Sequence, residues 1–394
     1  MPNSVAASVE AFVVLLACGL TVSIAAQRLR VPPAVLLVVV GAIFGSIWHI
    51  QPPFAFGPAL LVVFLPPLIF EAAWNIDLRA MLQSAGTIAA LALPGTLLGA
   101  FIVAGALVAT GVLPFPYAFL FGAMVSATDP VAVVAIFRNA GVPTRVKTIV
   151  EAESLANDGV AVVLYGIALA LTGGTAIAWF PEALHVLYAV FGGIVIGIVC
   201  ALPSWLALRL VRQAEYEVAG TVALAYIAYL LADRLHVSGI FATTAAAIML
   251  RAFLARRPTL DQRGDVDVFW NACAFIANAV VFLATGLLID LPRAIHEPLF
   301  IVTALAATIG VRVLLALFAA RETAARVTFV MAGMRGALPL ALALALPGTL
   351  AYRAQIIDGV FAVVLVTLVV QGGPLEPIVR RLYGRAPARK QSAE

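Results

Sequence analysis

The sequence predicts an all-α polytopic membrane protein with about thirteen transmembrane helices, built as inverted repeats with discontinuous helices crossing in a core. Three observations predict it. Of 394 residues, 63% are hydrophobic and 11% are charged, whereas soluble domains carry about 25% charged residues. Twenty acidic and 24 basic side chains cannot coat a soluble globule of this length, so lipid has to cover the apolar surface. Apolar stretches that can cross a bilayer, which takes about 20 helical residues, recur along the whole chain. Basic residues also alternate between successive connections, the pattern that sets orientation in a membrane. Disorder is excluded, because disordered chains are poor in apolar residues.

In chain order, the spans are expected near 5–26, 31–49, 57–74, 84–110, 114–138, 146–172, 183–208, 216–233, 237–254, 267–289, 297–320, 326–347 and 356–379. Proline and glycine pairs (Pro32-Pro33, Pro52-Pro53, Gly173-Gly174) and the charged stretch from Arg256 to Asp267 mark breaks between them. No basic residue precedes the first run, which is long enough to span, so a cleavable leader is not expected. Cys18, Cys200 and Cys273 lie in apolar stretches without metal-type spacing and read as small buried packing residues. The histidines, His49, His185, His236 and His296, fall at the ends of apolar runs and read as interfacial. The glycine pairs Gly41/Gly45, Gly95/Gly99 and Gly193/Gly197 have the spacing of close helix packing.

One set of alternate connections holds 19 basic residues, beginning with Arg28 and Arg30 and ending with Arg380, Arg381, Arg385, Arg389 and Lys390; the other holds only Arg234, Arg293 and Arg353. By the positive-inside rule the N-terminus is expected outside and the C-terminus in the cytoplasm. The net charge of +4 is therefore a topology signal, and no nucleic-acid partner is indicated. Two basic residues remain, Arg312 and Arg335, both inside apolar runs.

Ionisable groups at membrane depth are costly and mark functional interiors. Four carboxylates share that setting: Glu71 in FLPPLIFEAAW, Asp129 in SATDPVAV, and Glu153 and Asp158 in EAESLANDGVAVV. At about 1.5 Å rise per residue, all of these groups except the shallower Glu71 lie roughly 9 to 17 Å inside the bilayer. Six charges from five spans at neighbouring depths point to one site. On the sixth span, Ser154 and Asp158 are spaced i, i+4, as are Glu153 and Asn157, which gives an apolar helix one polar face. Thr128-Asp129-Pro130 interrupts the fifth span, and Gly333-Met334-Arg335-Gly336 with Pro339 interrupts the twelfth. Paired interruptions in the two halves of a chain mark ion sites in transporters. Carboxylates and hydroxyls are hard oxygen ligands suited to a small cation. Desolvation favours the neutral form of a carboxyl group, so such a site can hold a proton or a cation in turn.

At these residues the chain resembles the monovalent cation/proton antiporters, specifically the NhaP-type sodium/proton exchangers. The motifs are LPPLIFEAAW (65–74), SATDPVAV (126–133), ESLANDG (153–159), HVSGI (236–240), Arg312 and GMRGALPLALAL (333–344), in family order. The resemblance implies a secondary antiporter exchanging Na⁺, with Li⁺ also accepted, for H⁺ by alternating access at Asp158. It implies Asp129, Thr128 and Ser154 as further Na⁺ ligands, with Asn157, Glu153, Arg312, Arg335 and Glu71 in support. Glu153 is expected to pair with Arg312, or failing that with Arg335. The Asn157-Asp158 pair implies electroneutral one-for-one exchange. The resemblance further implies a homodimer in a prokaryotic plasma membrane, with no cofactor beyond the transported Na⁺ and H⁺. A core of 84–172 and 297–379 would move against a scaffold of 1–74 and 183–289, followed by a short tail, 380–394. Asn271 departs from the family, in which an acid often follows the Phe-Trp pair.

Three other readings compete. A K⁺/H⁺ antiporter would share the fold. An intramembrane aspartyl protease would use Asp129 and Asp158 as a dyad, but the chain lacks its Gly-x-Gly-Asp signature and carries two buried arginines. A channel would need a filter-like repeated loop, which the sequence does not contain.

Overall fold

A computed structural model describes residues 2–29, 31–48, 58–129, 133, 136–137, 140–174, 179–210, 213–255, 263–287 and 297–384. Pro52-Pro53, Pro130, His49, His296, the 256–262 stretch and the tail beyond 384 lie outside the described residues. Among those described, the regular structure is helical throughout, with no strand.

The helices run as α1 Pro2–Leu29, α2 Pro33–Trp48, α3 Pro58–Trp74, the short α4 Leu78–Gln83, α5 Ala85–Ala109, α6 Phe115–Ser126, α7 Thr144–Thr172, α8 Trp179–Leu208 and α9 Ala214–Arg234. They continue as α10 Gly239–Ala255, α11 Arg263–Leu287, α12 Pro298–Ala319, α13 Thr323–Met331, α14 Ala337–Leu344 and α15 Arg353–Tyr383. Seven of these helical stretches contain a segment long and apolar enough to cross a membrane, and four shorter apolar helices accompany them. Every apolar run in the sequence carries helix, but several are not the uninterrupted rods their hydropathy suggests. Pro94 sits in a wide turn, Leu91–Gly95, inside α5, and a second wide turn, Leu368–Gly372, interrupts α15. Proline removes a backbone donor, and the widened turn accommodates the loss. Helix α4 was not signalled by hydropathy; Asp77 caps it by accepting from the amides of Arg79 (2.8 Å) and Ala80 (3.1 Å).

Two groups of helices pack within themselves. Helices α1, α2, α3 and α11 pack together, and α8, α9 and α10 join them through α3. Helices α5, α6, α7, α12 and α13 to α15 form the other group, with α7 touching both. A close approach joins α2 and α11: a side chain on Gly41 would meet the Leu283 carbonyl and the Cα of Gly286. Gly193 and Gly197 meet α10, while Gly95 and Gly99 meet α12, so all three glycine pairs serve packing within the chain.

The cysteines correct one expectation. Cys200 is buried, but Cys273 is half-buried and Cys18 is exposed on α1. Outward positions of α1 are apolar, as with Val13, Val14 and Leu20, so a small apolar thiol is equally suited to the outer, lipid-facing side of a membrane helix.

Candidate functional site

Helix α6 is apolar and ends at Ser126; Ala127 turns extended, with φ −63° and ψ 139°. The sequence reason is Pro130: a helix continued through it would lose a backbone donor and bring the proline ring against the Ser126 carbonyl. Helix α13 stops at Met331, residues 333–336 are non-helical, and α14 restarts at Ala337 with Pro339 in its first turn, where a proline costs no helical hydrogen bond. The two unwound segments cross, and the Asp129 amide donates to the Met334 carbonyl at 3.0 Å. Gly336 makes the crossing close: a side chain there would collide with the Asp129 carboxylate.

Helix α7 lays its polar face against this crossing. Thr128 and Ser154 hydroxyls hydrogen-bond at 2.9 Å, and the Asn157 amide donates to Thr128 Oγ1 at 2.8 Å and to Glu153 Oε1 at 3.0 Å. The Thr128 amide in turn donates to Asn157 Oδ1 at 3.4 Å. Asn157 is thus held by its neighbours on both sides, and the Asp158 carboxylate beside it lines a small cavity. Its Oδ1 is buried and has no hydrogen-bond partner. A buried, unpaired acceptor is costly, and a bound cation or proton removes that cost.

The two arginines divide the positive charge. Arg312 on α12 pairs with Glu153 at 2.8 Å, and its Nε donates to the Phe329 carbonyl at 2.9 Å. Of the two candidate partners, Glu153 therefore takes Arg312. Arg335 turns instead to the end of α6, with Nη1 3.4 Å from the carbonyls of Ser126 and Ala127, and Thr367 Oγ1 accepts from its backbone amide at 3.2 Å. Each guanidinium thus sits at the C-terminal end of one half-helix, where the helix dipole favours a cation. Both side chains are buried.

Two cavities meet at Asp129. A cavity of about 60 Å³ is lined by Asp158, Asp129 and Thr128 on one wall and by apolar residues with Asn278 opposite. A larger one, about 650 Å³, reaches Asp129 past Glu71, Asn271 and Asn278 from the end of the molecule where α1 passes into α2. Rings pack along α6, with Phe121 against Phe300 at 5.0 Å and Tyr117 against Tyr352 at 4.9 Å.

The geometry brings Asp158, Asp129, Thr128, Ser154, Asn157, Glu153, Arg312 and Arg335 to one crossing. Glu71 stands on α3, where Asn75 donates to its Oε1 at 3.0 Å, and it lines the larger cavity together with Asp129. Asn278 and Thr367 escaped sequence reasoning. Counting charges passes over an uncharged polar residue in an apolar run, although a lone Asn in FIANAVVFL is itself a signal.

The chain is similar to known proteins over most of its length. The family described as "Sodium/hydrogen exchanger, transmembrane" matches residues 12–381. The Na(+)/H(+) antiporter NhaH of Halobacillus dabanensis is 30% identical over 93% of this chain and 96% of its own. The Na(+)/H(+) antiporter NhaP of Pseudomonas aeruginosa is 34% identical over 85% of this chain and 84% of its own. In fold, the sodium proton antiporter MjNhaP1 from Methanocaldococcus jannaschii superposes with a TM-score of 0.79 at 22% identity, covering 93% of this chain and 98% of that one.

Proposed function

The chain belongs to the sodium/hydrogen exchanger family, and from that premise we propose that it exchanges Na⁺ for H⁺ across a membrane at Asp158. One observation carries the proposal: at the crossing of two broken helices, Asp158 presents a buried, unpartnered oxygen to a cavity shared with Asp129 and Thr128. Asp158, Asp129, Thr128 and Ser154 are the ion ligands. Asn157, Glu153, Arg312 and Arg335 hold the crossing, and Glu71 lines the approach.

Hard oxygen ligands suit Na⁺ and Li⁺. A proton and a cation compete for the same carboxylate, so the carrier crosses loaded with one or the other. One ion exchanges for one proton, and the cycle is electroneutral. The side with 19 basic residues faces the cytoplasm, and the larger cavity opens on that side, beside Gln27 and Glu376. This arrangement corresponds to an inward-facing state. The protein works in a plasma membrane as a homodimer, with the core of 84–172 and 297–379 moving against the scaffold of 1–74 and 183–289. It uses no cofactor besides its transported ions.

The test is exchange in proteoliposomes loaded with a pH-sensitive dye. Imposed Na⁺ or Li⁺ gradients drive proton flux in the wild type at a rate indifferent to membrane potential, and Asp158→Asn gives none. Flux driven by K⁺ alone, or full exchange in Asp158→Asn, contradicts the proposal.

A further inference from the structure

Three of the site's ligands, Thr128, Asp129 and Asp158, line one wall of the small cavity. Thr128 and Asp129 stand on the unwound segment after α6, and Asp158 on α7. The facing wall is formed by α3 and α11, with Phe64, Leu65, Leu68, Ile69 and Val281, and among the described residues it carries one polar side chain, Asn278. Asn278 also lines the larger cavity, so it stands with Asp129 at the passage between the two. Its side chain is half-buried and makes no hydrogen bond with the described residues. Its position is fixed all the same, because α11 is locked to α2 by the Gly41–Gly286 approach and packs on α1 and α3.

We propose that Asn278 is the scaffold's contact to the transported cation, supplying an amide oxygen directly or through one water of hydration, and that it sets cation affinity and the preference between Na⁺ and Li⁺. The proposal rests on Asp158 being the ion site.

The chemistry fits the position. A small cation needs several oxygens around it, and an ion resting on Asp158 and Asp129 otherwise faces hydrocarbon on its far side. A cavity of about 60 Å³ holds an ion with a few waters, since one water fills roughly 10–15 Å³ on the same measure. The amide suits both loaded states: its oxygen accepts from a hydrating water or ligates the cation, and its N–H₂ donates to a carboxyl group when a proton has replaced the ion. Being neutral, it does this without adding a charge that would unbalance one-for-one exchange. Because it belongs to the opposite wall, its contact is made or broken as the two walls move. It therefore adds to the site a ligand whose distance from Asp158 is set by the spacing of the two walls, and ligand number and cavity size are what separate cations by size.

The experiment measures Na⁺- and Li⁺-driven exchange in proteoliposomes for the full chain carrying Asn278→Leu, nearly isosteric but apolar, and Asn278→Ala, with Asn278→Gln as the variant that keeps the amide. The KM for Na⁺ should rise about tenfold in the Leu and Ala variants, as expected for a lost polar contact to an ion. It should rise more than the maximal rate falls, and the Na⁺/Li⁺ KM ratio should change; Asn278→Gln should recover part of both. If the Leu variant does not fold, Asn278→Ala decides. Unchanged KM and ion ratio in a folded Ala variant overturn the proposal, as does a fall in rate alone that Gln does not rescue. An Asp158→Asn variant that still exchanges refutes the ion site itself. A dead Asp158→Asn beside an Asn278→Ala of wild-type KM refutes the role of Asn278 alone.

Discussion

The two interrupted helices break at facing points of one crossing, yet they carry opposite charge. The segment after α6 brings Thr128 and Asp129; the segment between α13 and α14 brings Arg335. Both unwind for similar reasons, a proline or glycine where a helix would continue, and both leave a half-helix C-terminus that an arginine covers. The difference shows that unwinding does not by itself make a ligand set. One break exposes acceptors for an ion, and the other supplies the positive charge that lets acceptors stay together in a low-dielectric interior.

The comparison can be broken by substitution, with effects that diminish in order. Asp158→Asn should reduce exchange to the rate of empty liposomes while leaving the thermal unfolding temperature close to wild type, because the amide matches the carboxylate in size and removes only its charge. Arg312→Ala should destabilise by about 3–5 kcal/mol, since Glu153 is left buried and uncompensated; thermal unfolding in detergent reads this, and Glu153→Leu combined with Arg312→Met should recover much of it. Gly336→Ala forces a methyl against Asp129. It should cost about 1–3 kcal/mol in stability and raise the KM for Na⁺, because the collision falls on a ligand. The smallest pair sharpens the comparison most. Thr128→Val should raise the KM for Na⁺, whereas Thr367→Val, behind the second break, should lower stability by about 1 kcal/mol and leave the KM unchanged.

Much of this was legible in the sequence, for identifiable reasons. Lipid imposes long apolar runs and penalises buried charge, so helix positions and the ionisable members of the site stand out by contrast. Prolines and glycines announced the two breaks. The i, i+4 spacing of Glu153 and Asn157 foretold their hydrogen bond. What the sequence withheld depends on proximity through space. That Glu153 pairs with Arg312, the first of two expected partners, is settled only when the fold brings together residues 159 apart in the chain. Arg335's contact with the end of α6 arises only once the crossing has formed. Asn278 carries no charge to mark it, and Cys18 resembled a core residue because lipid-facing and core positions share one composition.

The central claim is that one carboxylate site holds either a proton or a sodium ion. Calorimetric titration of the purified protein with Na⁺, in two buffers of different ionisation enthalpy, counts protons released per ion bound. Release of about one proton in the wild type and none in Asp158→Asn is the result expected; Na⁺ binding with no proton release in the wild type would contradict it.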